Sequence, residues 1–121
     1  MAHRLTFHEG LCRNIHGHSY MLEIYIEGEN DKNGMIMDYA DLKELVKNSI
    51  IEQLDHCIAI YEKDELLIGK LPQSLKQFIF PFETTAENLV KWILNELNKI
   101  DNRIRKAELW ETRNSKATYT L

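Results

Sequence analysis

The sequence predicts an α+β domain, an antiparallel four-stranded sheet with two helices on one face. Three observations carry this. Apolar residues alternate with period two from Ser19 to Glu27 and again beyond Arg103. They recur at helical spacing from Tyr39 to Leu54 and again after Thr84-Thr85-Ala86-Glu87. The resulting order is strand, strand, helix, extended segment, helix, strand, strand, with a hairpin at each end. A length of 121 residues suits one domain, 1–121, with one core. The 44% hydrophobic and 28% charged content is that of a soluble globular chain, and the net charge of -4 argues against a general nucleic-acid surface while leaving room for a local basic pocket. Two cysteines, no leader and no apolar run of membrane-spanning length point to a reduced, cytoplasmic setting with no membrane partner.

The chain opens Met1-Ala2-His3-Arg4-Leu5, where a frayed terminus is expected to hold a histidine weakly. Thr6 to Gly10 reads as a loop that turns the chain toward Cys12-Arg13-Asn14-Ile15-His16-Gly17-His18-Ser19-Tyr20. If this run is extended, His16 and His18 share a face and both imidazoles reach one ion. His3 and His8 are the upstream candidates for a third ligand, and three histidines with an open fourth position make a catalytic zinc site. Without Cys12 the pair would read as two exposed strand histidines. A thiol beside a dication can be held as thiolate and used as a base.

From Ser19 to Glu27, Tyr20, Leu22, Ile24 and Ile26 alternate with Met21, Glu23, Tyr25 and Glu27. Gly28 to Gly34 predicts a hairpin turn, with Met35-Ile36-Met37 as the returning strand. Asp38 is placed to cap a helix over Tyr39 to Leu54, whose buried stripe is Leu42, Leu45, Val46, Ile50 and Leu54. Asp41, Lys43, Glu44, Lys47 and Glu52 form its solvated face. Asp55 and His56 follow. Adjacent residues do not face each other on a helix, so as a pair they must act from its end or from the loop, and a simple helix end with a histidine near the negative dipole fits the same residues. Cys57 reads as a small buried hydrophobe.

Ala59 to Pro81 carries little signal beyond a short helical turn within Tyr61 to Gly69 and an extended stretch over Leu75 to Phe82, with Pro81 at a strand end. Thr84 to Glu87 fits a capping box with Thr84 as N-cap. The helix it opens buries Leu89, Val90, Ile93, Leu94, Leu97 and Ile100. Arg103 to Glu111 and Ser115 to Leu121 read as strands. An inward Glu111 would hold a planar guanidine-like group by paired hydrogen bonds. A sheet covered on one face leaves two unpaired edges, a liability that edge-to-edge closure between subunits removes.

Taken together and in this order, His3, Cys12 with His16-Gly17-His18, Leu54-Asp55-His56, Thr85-Ala86-Glu87-Asn88 and Trp110-Glu111-Thr112 resemble the family of 6-pyruvoyltetrahydropterin synthase and bacterial 6-carboxytetrahydropterin synthase. The resemblance implies the tunnelling fold (T-fold), in which three subunits close a barrel, two barrels stack as a homohexamer, and active sites lie at subunit interfaces. It implies zinc (Zn2+) on His3, His16 and His18, Cys12 as general base, and a proton relay of Asp55 and His56. Glu111 would anchor a pterin ring, with Thr85 lining the same pocket. The implied substrate is 7,8-dihydroneopterin triphosphate. In the favoured branch, on the queuosine route, a lyase leaves 6-carboxytetrahydropterin and releases acetaldehyde and triphosphate. The alternatives are triphosphate elimination to the 6-pyruvoyl product, or a zinc-binding oligomeric module without turnover. Arg4, Arg13 and Lys116 are candidates for the triphosphate by position. Family members carry a further strand segment before the Ala-His pair, so reduced zinc occupancy is expected here. Ile58 to Pro81 lies outside the shared motifs.

Overall fold

The computed structural model describes residues 1–121. Its strands are β1 (Ala2–His3), β2 (His16–Gly17), β3 (Met21–Ile26), β4 (Ile58–Tyr61), β5 (Gln77–Phe80), β6 (Ile104–Thr112) and β7 (Ser115–Thr120). Helix α1 (Tyr39–Val46) runs without a break through a wider π-helical turn (Lys47–Ile51) into a last turn, α2 (Glu52–Leu54), and α3 (Ala86–Ile100) is the second long helix. The α+β class and the two helical stretches stand as expected. Asp38 caps α1 by accepting from the Ala40 amide at 2.7 Å.

The single antiparallel four-stranded sheet is corrected. There are two sheets, a four-stranded one in the order β2-β1-β4-β5 and a three-stranded one in the order β3-β6-β7. The first is mixed, with β1 antiparallel to β2 but parallel to β4, and β4 parallel to β5. The second is antiparallel throughout.

The predicted hairpin between Ser19–Glu27 and Met35–Met37 does not form. Instead β3 pairs with β6, from Met21 opposite Trp110 to Ile26 opposite Ile104. Three apolar residues cannot match a ladder of this length, whose inward side chains Leu22, Ile24, Ala107 and Leu109 join the core. Residues 31–35 close a turn in which Asp31 Oδ1 accepts from the amides of Asn33 (2.7 Å) and Met35 (3.0 Å).

Helix α3 packs on β6 and β7, and its Trp92 ring meets Phe78 and Phe80 of β5 at centroid distances of 5.4 and 5.1 Å. Leu89, Val90, Ile93, Leu94 and Leu97 are its buried stripe, as the spacing required. Ile100 is exposed at 56% because the helix ends there and the chain turns away from the core. The N-cap is Thr85, one residue later than expected, and its hydroxyl accepts from the Asn88 amide at 3.3 Å. Thr84 is excluded from that role because it is fully buried against His3.

The expectation of a weakly held His3 is also corrected. β1 is an inner strand, with His3 opposite His16 on one side and Ala2 opposite Ile58 on the other. The Ala2 amide donates to Cys57 O at 2.9 Å, and His3 is 1% exposed. Chain position predicts fraying only where the backbone is unpaired.

Candidate metal centre and adjoining pocket

Antiparallel pairing sets His3 directly across from His16, and alternation along the following residues brings His18 to the same side. The ring centroids lie 4.7 Å apart for His3 and His16, 5.5 Å for His3 and His18, and 5.0 Å for His16 and His18. One nitrogen from each ring falls within 4.8 Å of the other two. His8, the other upstream candidate, turns back on its own loop, where its Nδ1 accepts from the Gly10 amide at 2.9 Å.

Two rings are oriented by backbone carbonyls. His3 Nδ1 lies 2.8 Å from Thr84 O, and His16 Nδ1 lies 2.8 Å from Asn14 O. A carbonyl only accepts, so Nδ1 carries the proton and Nε2 presents its lone pair. The His3 pKa is lowered to about 4, chiefly because burial penalises the cation and also because His16 and His18 crowd it, while the Thr84 carbonyl acts in the opposite sense. His3 is therefore neutral at pH 7, as a metal ligand must be. Three convergent imidazoles, two with fixed tautomers, fit zinc as a donor set.

Glu111 projects from the end of β6 to the rim of this cluster. Its Oε1 lies 3.9 Å from His3 Nε2 and 4.0 Å from His18 Nε2, and it accepts from Tyr20 OH at 3.2 Å. Tyr20 OH is also 3.3 Å from His3 Nε2. Burial and the neighbouring carboxylate push the Tyr20 phenol well above its ordinary range, so it stays a hydrogen-bond donor. In the sequence Tyr20 stands only as a strand residue. The signal was present, since Tyr20 continues the alternation of His16 and His18. Thr84, the other missed partner, has no local signature.

Beside the cluster lies an open pocket of about 430 Å³, whose lining includes His18, Ser19, Tyr20, Leu22, Asp55 and His56. Asp55 and His56 leave the helix end as expected, and His56 Nδ1 stands 3.0 Å from Asp55 Oδ1. The His56 contact holds the Asp55 carboxyl below the usual carboxylate range. His56 has φ 58, a left-handed conformation that a non-glycine residue adopts at a cost.

Cys12 is a free, half-buried thiol on a short 3₁₀ turn (Leu11–Arg13). Neither Cys12 nor Thr85 lines the pocket that holds Asp55 and His56. Of the three candidate cations for a phosphate chain, Arg4 is paired with Asp64 and Lys116 with Glu108, whereas Arg13 is exposed.

The whole chain, residues 1–121, matches the family model described as 6-pyruvoyl tetrahydropterin synthase. It is 40% identical to the 6-carboxy-5,6,7,8-tetrahydropterin synthase of Haemophilus influenzae over 98% of this chain and 91% of that protein. It is 32% identical to the protein of the same name from Aquifex aeolicus, over 89% of this chain and 75% of that one. Among solved structures, an uncharacterized protein from Wolinella succinogenes superposes with a TM-score of 0.82 at 22% identity, covering 98% of this chain and 91% of the other. The 6-pyruvoyltetrahydropterin synthase of Plasmodium vivax does so with a TM-score of 0.78 at 21% identity, over 98% and 87% of the two chains. With its entire length matched by the family model and its fold shared with such structures, the chain belongs to the 6-pyruvoyl tetrahydropterin synthase family.

Proposed function

We propose that this protein is a 6-carboxy-5,6,7,8-tetrahydropterin synthase, a zinc-dependent lyase that converts 7,8-dihydroneopterin triphosphate to the 6-carboxy product, acetaldehyde and triphosphate on the route to queuosine. The observation that carries the reading is the cluster of His3, His16 and His18 beside a pocket lined by Asp55 and His56. The name shared by the relatives in Haemophilus influenzae and Aquifex aeolicus favours the carboxy branch.

His3, His16 and His18 hold the metal, which when bound supplies Lewis-acid polarisation of the substrate's side-chain hydroxyls. Cys12 removes a proton as thiolate. His56, oriented by Asp55, delivers one on the opposite side of the side chain. Glu111, steadied by Tyr20, accepts paired hydrogen bonds from the amino-pyrimidinone edge of the pterin, and Thr85, which stands outside the Asp55–His56 pocket of its own chain, lines the part of the site that takes this edge.

Cys12 stands outside the Asp55–His56 pocket of its own chain, which suits a site completed across subunits. β3 and β7 are the edges of the three-stranded sheet. Pairing them between copies would close a barrel of three subunits and satisfy their open backbone groups, with two barrels stacked as a homohexamer. Each chain would contribute one domain, 1–121. No helix is long and apolar enough to cross a membrane.

The test is incubation of the zinc-loaded protein with 7,8-dihydroneopterin triphosphate, reading products by mass, with Cys12→Ala in parallel. A 6-carboxy product that disappears in the variant supports the proposal. A 6-pyruvoyl product would move the protein to the other branch, and bound zinc without turnover would leave a binding module.

A further inference from the structure

The segment from Glu62 to Lys70 has no part in the chemistry above, yet it carries the most buried carboxylate of the chain, Asp64, at 2% exposure. Asp64 Oδ1 accepts from Arg4 Nη1 at 2.6 Å and from the Leu66 amide at 3.0 Å. The same guanidinium reaches the other way, where Arg4 Nε donates to Arg13 O at 2.7 Å. The next residue, Leu5, donates its amide to Cys12 O at 2.9 Å. Two successive carbonyls of the turn that bears Cys12 are thus fixed by Arg4 and Leu5. Beyond these two bonds the turn is held only by its own short-range ones, from the Arg13 amide to Gly10 O at 3.3 Å and from the Asn14 amide and side chain to Leu11 O at 3.0 and 3.1 Å, since none of its three residues is buried and Leu11 is 85% exposed.

We propose that Arg4 and Asp64 are positioning residues for Cys12: the buried ion pair makes the Glu62 to Lys70 segment a strut that fixes the Arg4 guanidinium, which in turn fixes the Cys12 turn. Arginine suits this role because its planar fork holds two acceptors in fixed directions, whereas lysine offers one point charge on a flexible stem. The role in catalysis rests on Cys12 being the general base. The role in placing the thiol does not.

Arg4→Lys and Asp64→Asn are the test variants, read by turnover, zinc stoichiometry, thermal midpoint and the rate at which iodoacetamide alkylates Cys12, located by mass. Arg4→Lys keeps the charge opposite Asp64 and is expected to keep its fold and its zinc. Its kcat should fall about 10- to 100-fold with KM little changed, as a displaced catalytic group requires. Its Cys12 should alkylate several-fold faster. Asp64→Asn should behave alike, and the double variant no worse than either single one. An unchanged alkylation rate and kcat would overturn the proposal, and so would a loss of kcat matched by an equal loss of zinc or folded protein. If Cys12→Ala retained wild-type turnover, the base assignment would fall by itself, and the alkylation rates would still decide whether Arg4 and Asp64 place the thiol.

Discussion

His3 and Thr84 are joined by two contacts in the interior, from His3 Nδ1 to Thr84 O at 2.8 Å and to Thr84 Oγ1 at 3.1 Å. They tie the second residue of β1 to the residue before the cap of α3. The helix therefore acts as an anchor for the His3 ring, and Nε2 is aimed before any metal arrives.

Thr84→Val keeps the shape of the side chain and removes only the hydroxyl. Because the carbonyl contact survives, zinc affinity should fall toward the lower end of the range for outer-shell changes, about 10-fold. A competitive chelator titration measures this, and an unchanged affinity would mean that the carbonyl alone orients the ring. His16→Ala, which deletes a proposed ligand, should abolish stoichiometric zinc in the purified protein.

Stability of the metal-free protein should depend on pH through His3. Its pKa is lowered to about 4 in the fold from 6.5, so between those values the unfolded chain binds more protons than the folded one. The stabilising contribution is present above pH 6.5 and is lost as pH falls through that window, by on the order of 3 kcal/mol. Urea titrations of chelator-treated protein at pH 7 and pH 4.5 would show the loss. His3→Gln should flatten the dependence, and a variant that kept the full slope would assign it to another group.

Tyr20→Phe should act on substrate binding more than on chemistry. The Glu111 carboxylate would lose its phenol donor, a charge-assisted bond for which a loss of about 2 kcal/mol is typical. KM should rise about 30-fold with kcat nearly unchanged. A fall in kcat alone would place Tyr20 in the proton chemistry instead.

At His56, the left-handed backbone sets stability against activity. His56→Gly relieves the strain at φ 58 while the exposed side chain gives up no packing. The variant should be more stable by about 0.5–1 kcal/mol in urea, after the added freedom of glycine in the unfolded chain. Turnover should be lost with the imidazole. A variant that lost stability would mean that His56 makes contacts in the assembled oligomer.

Legibility followed the range of the interactions. The continuous helix over Tyr39 to Leu54, the stripe of α3 and the strands β6 and β7 were readable because helical and strand periodicity depend on neighbours a few residues away. The shared face of His16 and His18 was readable for the same reason. The pairing of β3 was not, since its partner β6 lies about 80 residues along the chain, and a nearer apolar triplet, Met35 to Met37, offered a plausible hairpin. The cap falls one residue later than the capping-box pattern predicts because Thr84 is held by His3, a contact across 81 residues.

By itself, then, the sequence determined the helices, the alternating strands and the residue types that can bind a metal or move a proton. The resemblance implies His3 with His16 and His18, but only the tertiary structure decided how strand pairing brings the three rings together, that Tyr20 and Thr84 support the cluster, and that Asp64 reaches Arg4. Local periodicity is set by the backbone's own geometry. Which side chains meet depends on strand pairing and burial across the whole chain, where many partners compete and only the fold selects among them.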